Sequence, residues 1–239
     1  MTSAIEQSVD EKAEARGLTW LDATCPLVSK VHRQAERLVE AGRHIIFVGH
    51  AGHPEVIGTF GQVPAGAMTL VETLDDVPRL LPPDPDALAF LTQTTLSVDD
   101  TAEIVAALRA RFPAILAPRG EDICYATSNR QEAVKAITER SEAIFVIGSP
   151  NSSNSLRLAE VAERGNVPAR LIGRASEIDF DWLGSPKVVG ITAGASAPEI
   201  LVREVVAKLA TRFAITEEEV TTATESMIFK LPRALTENA

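Results

Sequence analysis

Apolar residues recur along this chain with two periods that alternate from start to end. Val28, Val31, Ala35, Leu38 and Val39 share one helical face, which predicts a helix over 26–41, stopped at Gly42. Residues 44–49 and 143–148 are short, nearly unbroken apolar runs of the kind that form buried parallel strands. Further strands are predicted over 68–72, 87–91, 169–172 and 187–191, and further helices over 97–112, 127–140, 152–163 and 198–213. Ser226-Met227-Ile228-Phe229 reads as an edge strand, and Leu81-Pro82-Pro83-Asp84-Pro85 as a surface turn. Strands alternating with helices predict an α/β fold with mainly parallel sheets.

The pattern repeats. Asp22-Ala23-Thr24-Cys25 opens one helix and Asp122-Ile123-Cys124 another, with the cysteines 99 residues apart. The strand after each helix ends in glycine, at Gly49 and Gly148, again 99 apart. Polar loops follow, His50-Ala51-Gly52-His53-Pro54-Glu55 in one half and Ser149-Pro150-Asn151-Ser152-Ser153-Asn154 in the other. A later strand ends at Thr92-Gln93-Thr94-Thr95 and, 100 residues on, at Thr192-Ala193-Gly194-Ala195-Ser196. These loops lie at the carboxyl ends of strands, where open parallel sheets gather their ligands.

Composition narrows the functions open to such a fold. The chain has 239 residues, 45% of them apolar, enough for a real core and one or two domains. Its 23 basic and 33 acidic residues give a net charge of −10, which argues against general nucleic-acid binding. Two cysteines exclude a disulfide-stapled scaffold. The longest apolar runs fall far short of the roughly 20 residues that span a bilayer. The first residues have neither a basic nor an apolar signal region, so a soluble, cytoplasmic protein is expected.

Several side chains could carry chemistry. Cys25 and Cys124 at helix N-termini could hold a soft metal or an iron–sulfur cluster, or could be buried small residues. His53 and Glu55 could aim at one ligand, a histidine holding an anion and a carboxyl delivering a proton. His50 reads as a solvated residue near a helix start. Ser152, Ser153 and Asn154, together with Ser196 in the other loop, could cradle an anion with free helix N–H groups, and Thr94 and Thr95 precede a further helix. Each such loop alone is an ordinary helix cap; several together favour a phosphate or diphosphate ligand. Walker, G-x-G-x-x-G and G-x-S-x-G motifs are all missing from the sequence.

Six segments taken together resemble one family: Asp22 to Val28, Gly49 to Glu55, Thr92 to Asp100, Asp122 to Thr127, Asn151 to Ser155 and Thr192 to Pro198. That family is 4-hydroxy-3-methylbut-2-enyl diphosphate reductase, the iron–sulfur enzyme that ends the methylerythritol phosphate route to isoprenoids. The resemblance implies three α/β lobes of parallel sheet around a central cavity, each giving one cysteine to a 4Fe-4S cluster. It implies two-electron reduction of the substrate to isopentenyl and dimethylallyl diphosphate, with ferredoxin or flavodoxin as the electron donor. By motif, Cys25 and Cys124 would bind iron and Glu55 would relay the proton. Thr94 would help orient the hydroxyl end of the substrate or the water near it. His53, Ser152, Ser153, Asn154 and Ser196 would hold the diphosphate.

The same resemblance implies a shortened form. The family has a first cysteine and a histidine ahead of the matched region, and a Ser-Ala-His-Gly segment where this chain has Ser3-Ala4-Ile5-Glu6. The expected organisation is a remnant of the first lobe over 1–25, a second lobe over 26–123 and a third lobe with the tail over 124–239. An incomplete cysteine set implies impaired catalysis, and a bare lobe flank implies an apolar surface or a partner chain that covers it. Two other readings stay open: a non-catalytic diphosphate-binding module or inactive paralogue, and a thiol redox protein that pairs Cys25 with Cys124.

Overall fold

The computed structural model describes residues 12–19 and 21–229. The Ser3–Glu6 segment and residues 230–239 lie outside that range. The chain divides into two compact units. Of the described residues, unit 1 comprises 12–19, 21–94, 99–124 and 226–229, and unit 2 comprises 95–98 and 125–225.

Unit 1 is a three-stranded parallel sheet. Helix α1 (Pro26–Glu40) leads into strand β1 (His44–Val48), and helix α2 (Pro54–Phe60) into strand β2 (Met68–Val71). A 3₁₀ turn over Leu74–Arg79 and strand β3 (Leu88–Thr92) follow, and helix α3 (Val98–Arg111) begins where the chain returns to the unit. The strand order is β2-β1-β3, with Val48 opposite Val71 on one side and Thr92 on the other. As the central strand, β1 needs apolar side chains on both faces, and Ile45 to Val48 are fully buried. Val31 and Ala35 of α1 pack on Ile45, Phe47, Val56, Met68 and Leu91. After α3 the chain runs back beside β3, with an isolated bridge between Ala89 and Leu116, and this return path delivers residues 119–124.

Unit 2 repeats the plan. It contains helix α4 (Tyr125–Thr138), strand β4 (Ala143–Ile147), helix α5 (Ser153–Arg164) and strand β5 (Ala169–Ile172). A short 3₁₀ turn, helix α6 (Phe180–Leu183), strand β6 (Val189–Ala193) and helix α7 (Glu199–Ala210) complete it. The strand order is β5-β4-β6, again parallel, with Ile147 opposite Ile172 and Ala193. Side chains of β4 alternate between two cores. Phe145 and Ile147 meet Ile172, Val205 and Leu209, while Ile144 and Val146 meet Val134, Leu158 and Ala162.

The α/β class and the parallel sheets agree with the sequence reading. Residues 226–229, expected as an edge strand, form no strand, and Ile228 is exposed. The repeat also needs a one-residue correction. Register places Thr92 opposite Val48 and Ala193 opposite Ile147, so Thr92 corresponds to Ala193 rather than Thr192. Among the described residues, no helix is long and apolar enough to cross a membrane.

Candidate functional site

The polar residues gather where β1 and β3 end in unit 1. His53 is the N-cap of α2, and its Nδ1 accepts the Glu55 backbone N–H at 3.2 Å. A neutral ring with Nδ1 as acceptor carries its proton on Nε2. Burial, reinforced by the neighbouring His50, holds this imidazole below its usual range, which keeps the ring neutral. His53 is therefore a cap that still has a donor to offer. His50 is half-buried rather than solvated, and the Gln93 side-chain oxygen accepts its backbone N–H at 3.1 Å.

Glu55, one residue into α2, is only 1% exposed. Its Oε1 accepts the Thr94 N–H at 2.8 Å and its Oε2 the Thr94 hydroxyl at 3.0 Å. Burial pushes the Glu55 carboxyl up to about 7, the two Thr94 bonds pull it down, and the Asp122 charge adds a smaller upward push. A carboxyl in that range both holds and releases a proton near neutral pH.

The cysteines sit on either side of a stitched seam within unit 1. Cys25 is the N-cap of α1 and half-buried. Cys124 directly precedes α4, and its backbone N–H donates to Thr94 O at 3.0 Å. Neither is in a disulfide. The Gln34 side chain, on α1, accepts the Arg119 N–H and donates to Asp122 Oδ1 at 3.1 Å. Lys30, one turn nearer Cys25, donates to Glu121 O at 2.7 Å and lies 3.6 Å from Asp122 Oδ1. Asp122 Oδ2 accepts the Thr92 N–H. Burial raises the Asp122 carboxyl, and the Thr92, Lys30 and Gln34 contacts oppose that rise. Asp122 thus binds α1, the end of β3 and the Cys124 segment together. In the sequence, Asp122 stands out only as part of the Asp122-Ile123-Cys124 motif. Its proximity to Lys30 and Gln34 spans about 90 residues of sequence and leaves no local signal. Among the described residues, no group of three or more His, Cys, Asp and Glu side chains gathers to hold a metal ion.

Unit 2 brings together a different set. Ser152 is the N-cap of α5, and its Oγ accepts from the Ser155 backbone N–H at 3.3 Å. The Ser153 hydroxyl donates to Thr95 O at 3.3 Å, so part of its capacity is engaged within the unit. Asn154 is 5% exposed, and neither its Oδ1 nor its Nδ2 has a hydrogen-bond partner among the described residues. A buried amide without protein partners is rare and costly, which makes Asn154 a candidate for ligand contact. Ser196 is exposed on the loop between β6 and α7, three residues past the end of β6.

Comparison with known proteins gives a consistent picture. The family model for the LytB protein matches residues 3–210. A protein of Phenylobacterium zucineum named 4-hydroxy-3-methylbut-2-enyl diphosphate reductase is 60% identical over 97% of this chain and 74% of its own length. One of the same name from Cereibacter sphaeroides is 58% identical over 98% of the chain and 74% of its own length. The solved E-1-hydroxy-2-methyl-but-2-enyl-4-diphosphate reductase of Plasmodium falciparum superposes with a TM-score of 0.94 at 35% identity. That match covers 99% of this chain and 75% of the solved one. The chain therefore spans about three quarters of these relatives, and by sequence and by fold it belongs to the LytB family.

Proposed function

We propose that this chain carries out the reductive dehydroxylation of (E)-4-hydroxy-3-methylbut-2-enyl diphosphate to isopentenyl and dimethylallyl diphosphate. The reaction removes one hydroxyl as water and consumes two electrons and two protons. The observation that carries this reading is the buried Glu55 carboxyl, clasped at both oxygens by Thr94 and titrating at about 7. Membership in a family whose relatives bear the reductase name supports it, and disfavours a non-catalytic module.

The division of labour follows from the donors present. Neutral His53 offers Nε2–H to a diphosphate oxygen while its Nδ1 stays on the Glu55 backbone. In unit 2, Ser152, Ser153, Asn154 and Ser196 supply neutral donors suited to diphosphate oxygens, in place of a lysine clamp. Glu55 holds a proton near the reacting end and gives it to the departing hydroxyl oxygen. Thr94 fixes the carboxyl and keeps its range near neutrality, since both of its bonds oppose the effect of burial.

Cys25 and Cys124 suit an iron–sulfur cluster by donor chemistry: neither is disulfide-bonded, both are half-buried, and Asp122 ties together the segments that carry them. Such a cluster, when bound, supplies electrons and an open iron to the substrate. Ferredoxin or flavodoxin is the electron donor in this reading. The two units correspond to two of the family's lobes.

The test is anaerobic reconstitution of this chain, with iron and sulfide counted per polypeptide and turnover of the hydroxylated allylic diphosphate followed on the same sample. Turnover that requires Glu55 is the expected result. Diphosphate binding with no turnover under any reductant would replace the enzyme reading with a binding module.

A further inference from the structure

Ser155 is fully buried at the third position of α5. An alanine Cβ at Gly148 would stand 2.2 Å from its Oγ, and one at Gly194 would stand 2.1 Å away. Two glycines at the ends of β4 and β6 thus close on this hydroxyl and fix where it sits. Its partner is Ser152 Oγ, at 3.0 Å. The same Ser152 oxygen accepts the Ser155 backbone N–H.

A hydroxyl has one proton to give and two lone pairs to accept with. A buried hydroxyl proton must find an acceptor, and among the described residues the Ser155 hydroxyl donates to Ser152 Oγ. The Ser155 O–H therefore donates, and its backbone N–H donates too. Both lone pairs of Ser152 are then engaged inside the loop, and what remains to this half-buried residue is its own O–H. An independent sign of a ligand lies beside it. Asn154 is nine-tenths buried with both amide atoms unpartnered, and its Nδ2 lies 3.8 Å from the place a Cβ on Gly194 would take.

We propose that Ser155 is a positioning residue that saturates the acceptor side of Ser152 and so makes the Ser152 hydroxyl a dedicated donor for a diphosphate oxygen. This inference rests on the diphosphate reading above. It extends that reading to a fully buried residue, and it assigns the Gly148–Ser155–Gly194 packing a purpose. A donor-only hydroxyl favours an ionised oxygen, which brings lone pairs. It disfavours a ligand hydroxyl, which must place a proton.

The test titrates the full chain with inorganic diphosphate by calorimetry. Ser155→Ala is expected to weaken binding about tenfold while the circular dichroism spectrum stays unchanged. The deciding measurement is a double-mutant cycle. In a Ser152→Ala background, Ser155→Ala should change affinity less than about twofold, because the hydroxyl it acts through is gone. Equal losses in both backgrounds would mean that Ser155 only supports the helix start. That result, or unchanged binding in the single variant, overturns the inference and leaves the diphosphate reading standing. A parent chain that takes up no diphosphate sinks both together.

Discussion

The two units set opposite chemistry on one scaffold. Each has a central parallel strand ending in glycine, an N-cap whose side chain accepts a backbone N–H, and a buried polar residue second in the helix that follows. In unit 1 that residue is Glu55, and Thr94 satisfies both of its oxygens. In unit 2 it is Asn154, and none of the described residues satisfies it. Strand register explains the difference. Thr94 lies two residues beyond Thr92, and the corresponding position two beyond Ala193 is Ala195, which has no hydroxyl to give. Gln93, which holds the His50 loop, corresponds likewise to Gly194, which makes room for Ser155. In the proposed mechanism one copy of the fold thus closes its polar residue into a proton store. The other leaves donors open at the expense of stability, as binding sites commonly do.

The largest break in this comparison comes from removing the proton. Glu55→Gln keeps size and most of the Thr94 contacts but has no proton to deliver. Turnover of the reconstituted enzyme should fall by about 10²–10⁴-fold, while inorganic diphosphate affinity stays within about twofold. In the parent enzyme, activity should decline as pH rises through about 7, where Glu55 loses its proton. An equal loss of affinity in the variant would move Glu55 into the binding group and erase the contrast between the units.

The same residue predicts a slope in stability. An ordinary glutamate titrates at roughly 4.3, and in the folded chain Glu55 is raised to about 7. Between those values the folded state binds more protons than the unfolded one, so stability falls as pH rises across the window and levels off above it. The whole loss is at most about 4 kcal/mol. Urea unfolding at pH 5 and pH 8 should show it in the parent and not in Glu55→Gln. Asp122, also raised by burial, contributes in the same direction, so the informative quantity is the difference between the two proteins.

Packing separates the units next. Gly194→Ala drives a Cβ against Ser155 Oγ and should cost about 1–3 kcal/mol. Ser155→Ala removes the atom in the way, leaving the nearest remaining Ser155 atom 3.3 Å from that Cβ, so the combined variant should recover most of the loss. Thermal unfolding of the two single variants and the double checks this. In unit 1 the glycine at the end of the central strand, Gly49, faces Val56 and Phe47 instead, and no serine change can relieve it.

How much of this was legible beforehand differs between fold and site. The central strands were plain, because Ile45 to Val48 and Ile144 to Ile147 must be apolar on both faces. Of helix α2 only a start near His50 is legible, since seven residues containing Pro54 and Gly58 show too little periodicity to mark its extent. The run Met227-Ile228-Phe229 looked like a strand only because composition cannot show whether a neighbour exists to pair with it. Glu55, Thr94 and Asn154 were each visible as candidates. That Thr94 satisfies Glu55 from 39 residues away, while Asn154 goes unsatisfied, is a fact of register, and register is set by pairing in space.

Asn154 gives the smallest effect and the sharpest test, because two measurements on one variant should move in opposite directions. Its amide is buried without partners, so the ligand-free protein bears the loss of its hydration with no return bond. Asn154→Leu keeps nearly the same volume and removes the unsatisfied atoms. Such replacements are neutral or stabilising, so the variant should unfold at equal or higher urea, by up to about 1 kcal/mol. Diphosphate affinity should fall about tenfold, since the donor that waits for the ligand is gone. Glu55→Leu, the matching change in unit 1, should lose stability at pH 5, because the two Thr94 donors would then lack their acceptor. If Asn154→Leu were destabilised as well, its amide would have to be satisfied within the folded chain, and the two units would differ in detail rather than in kind.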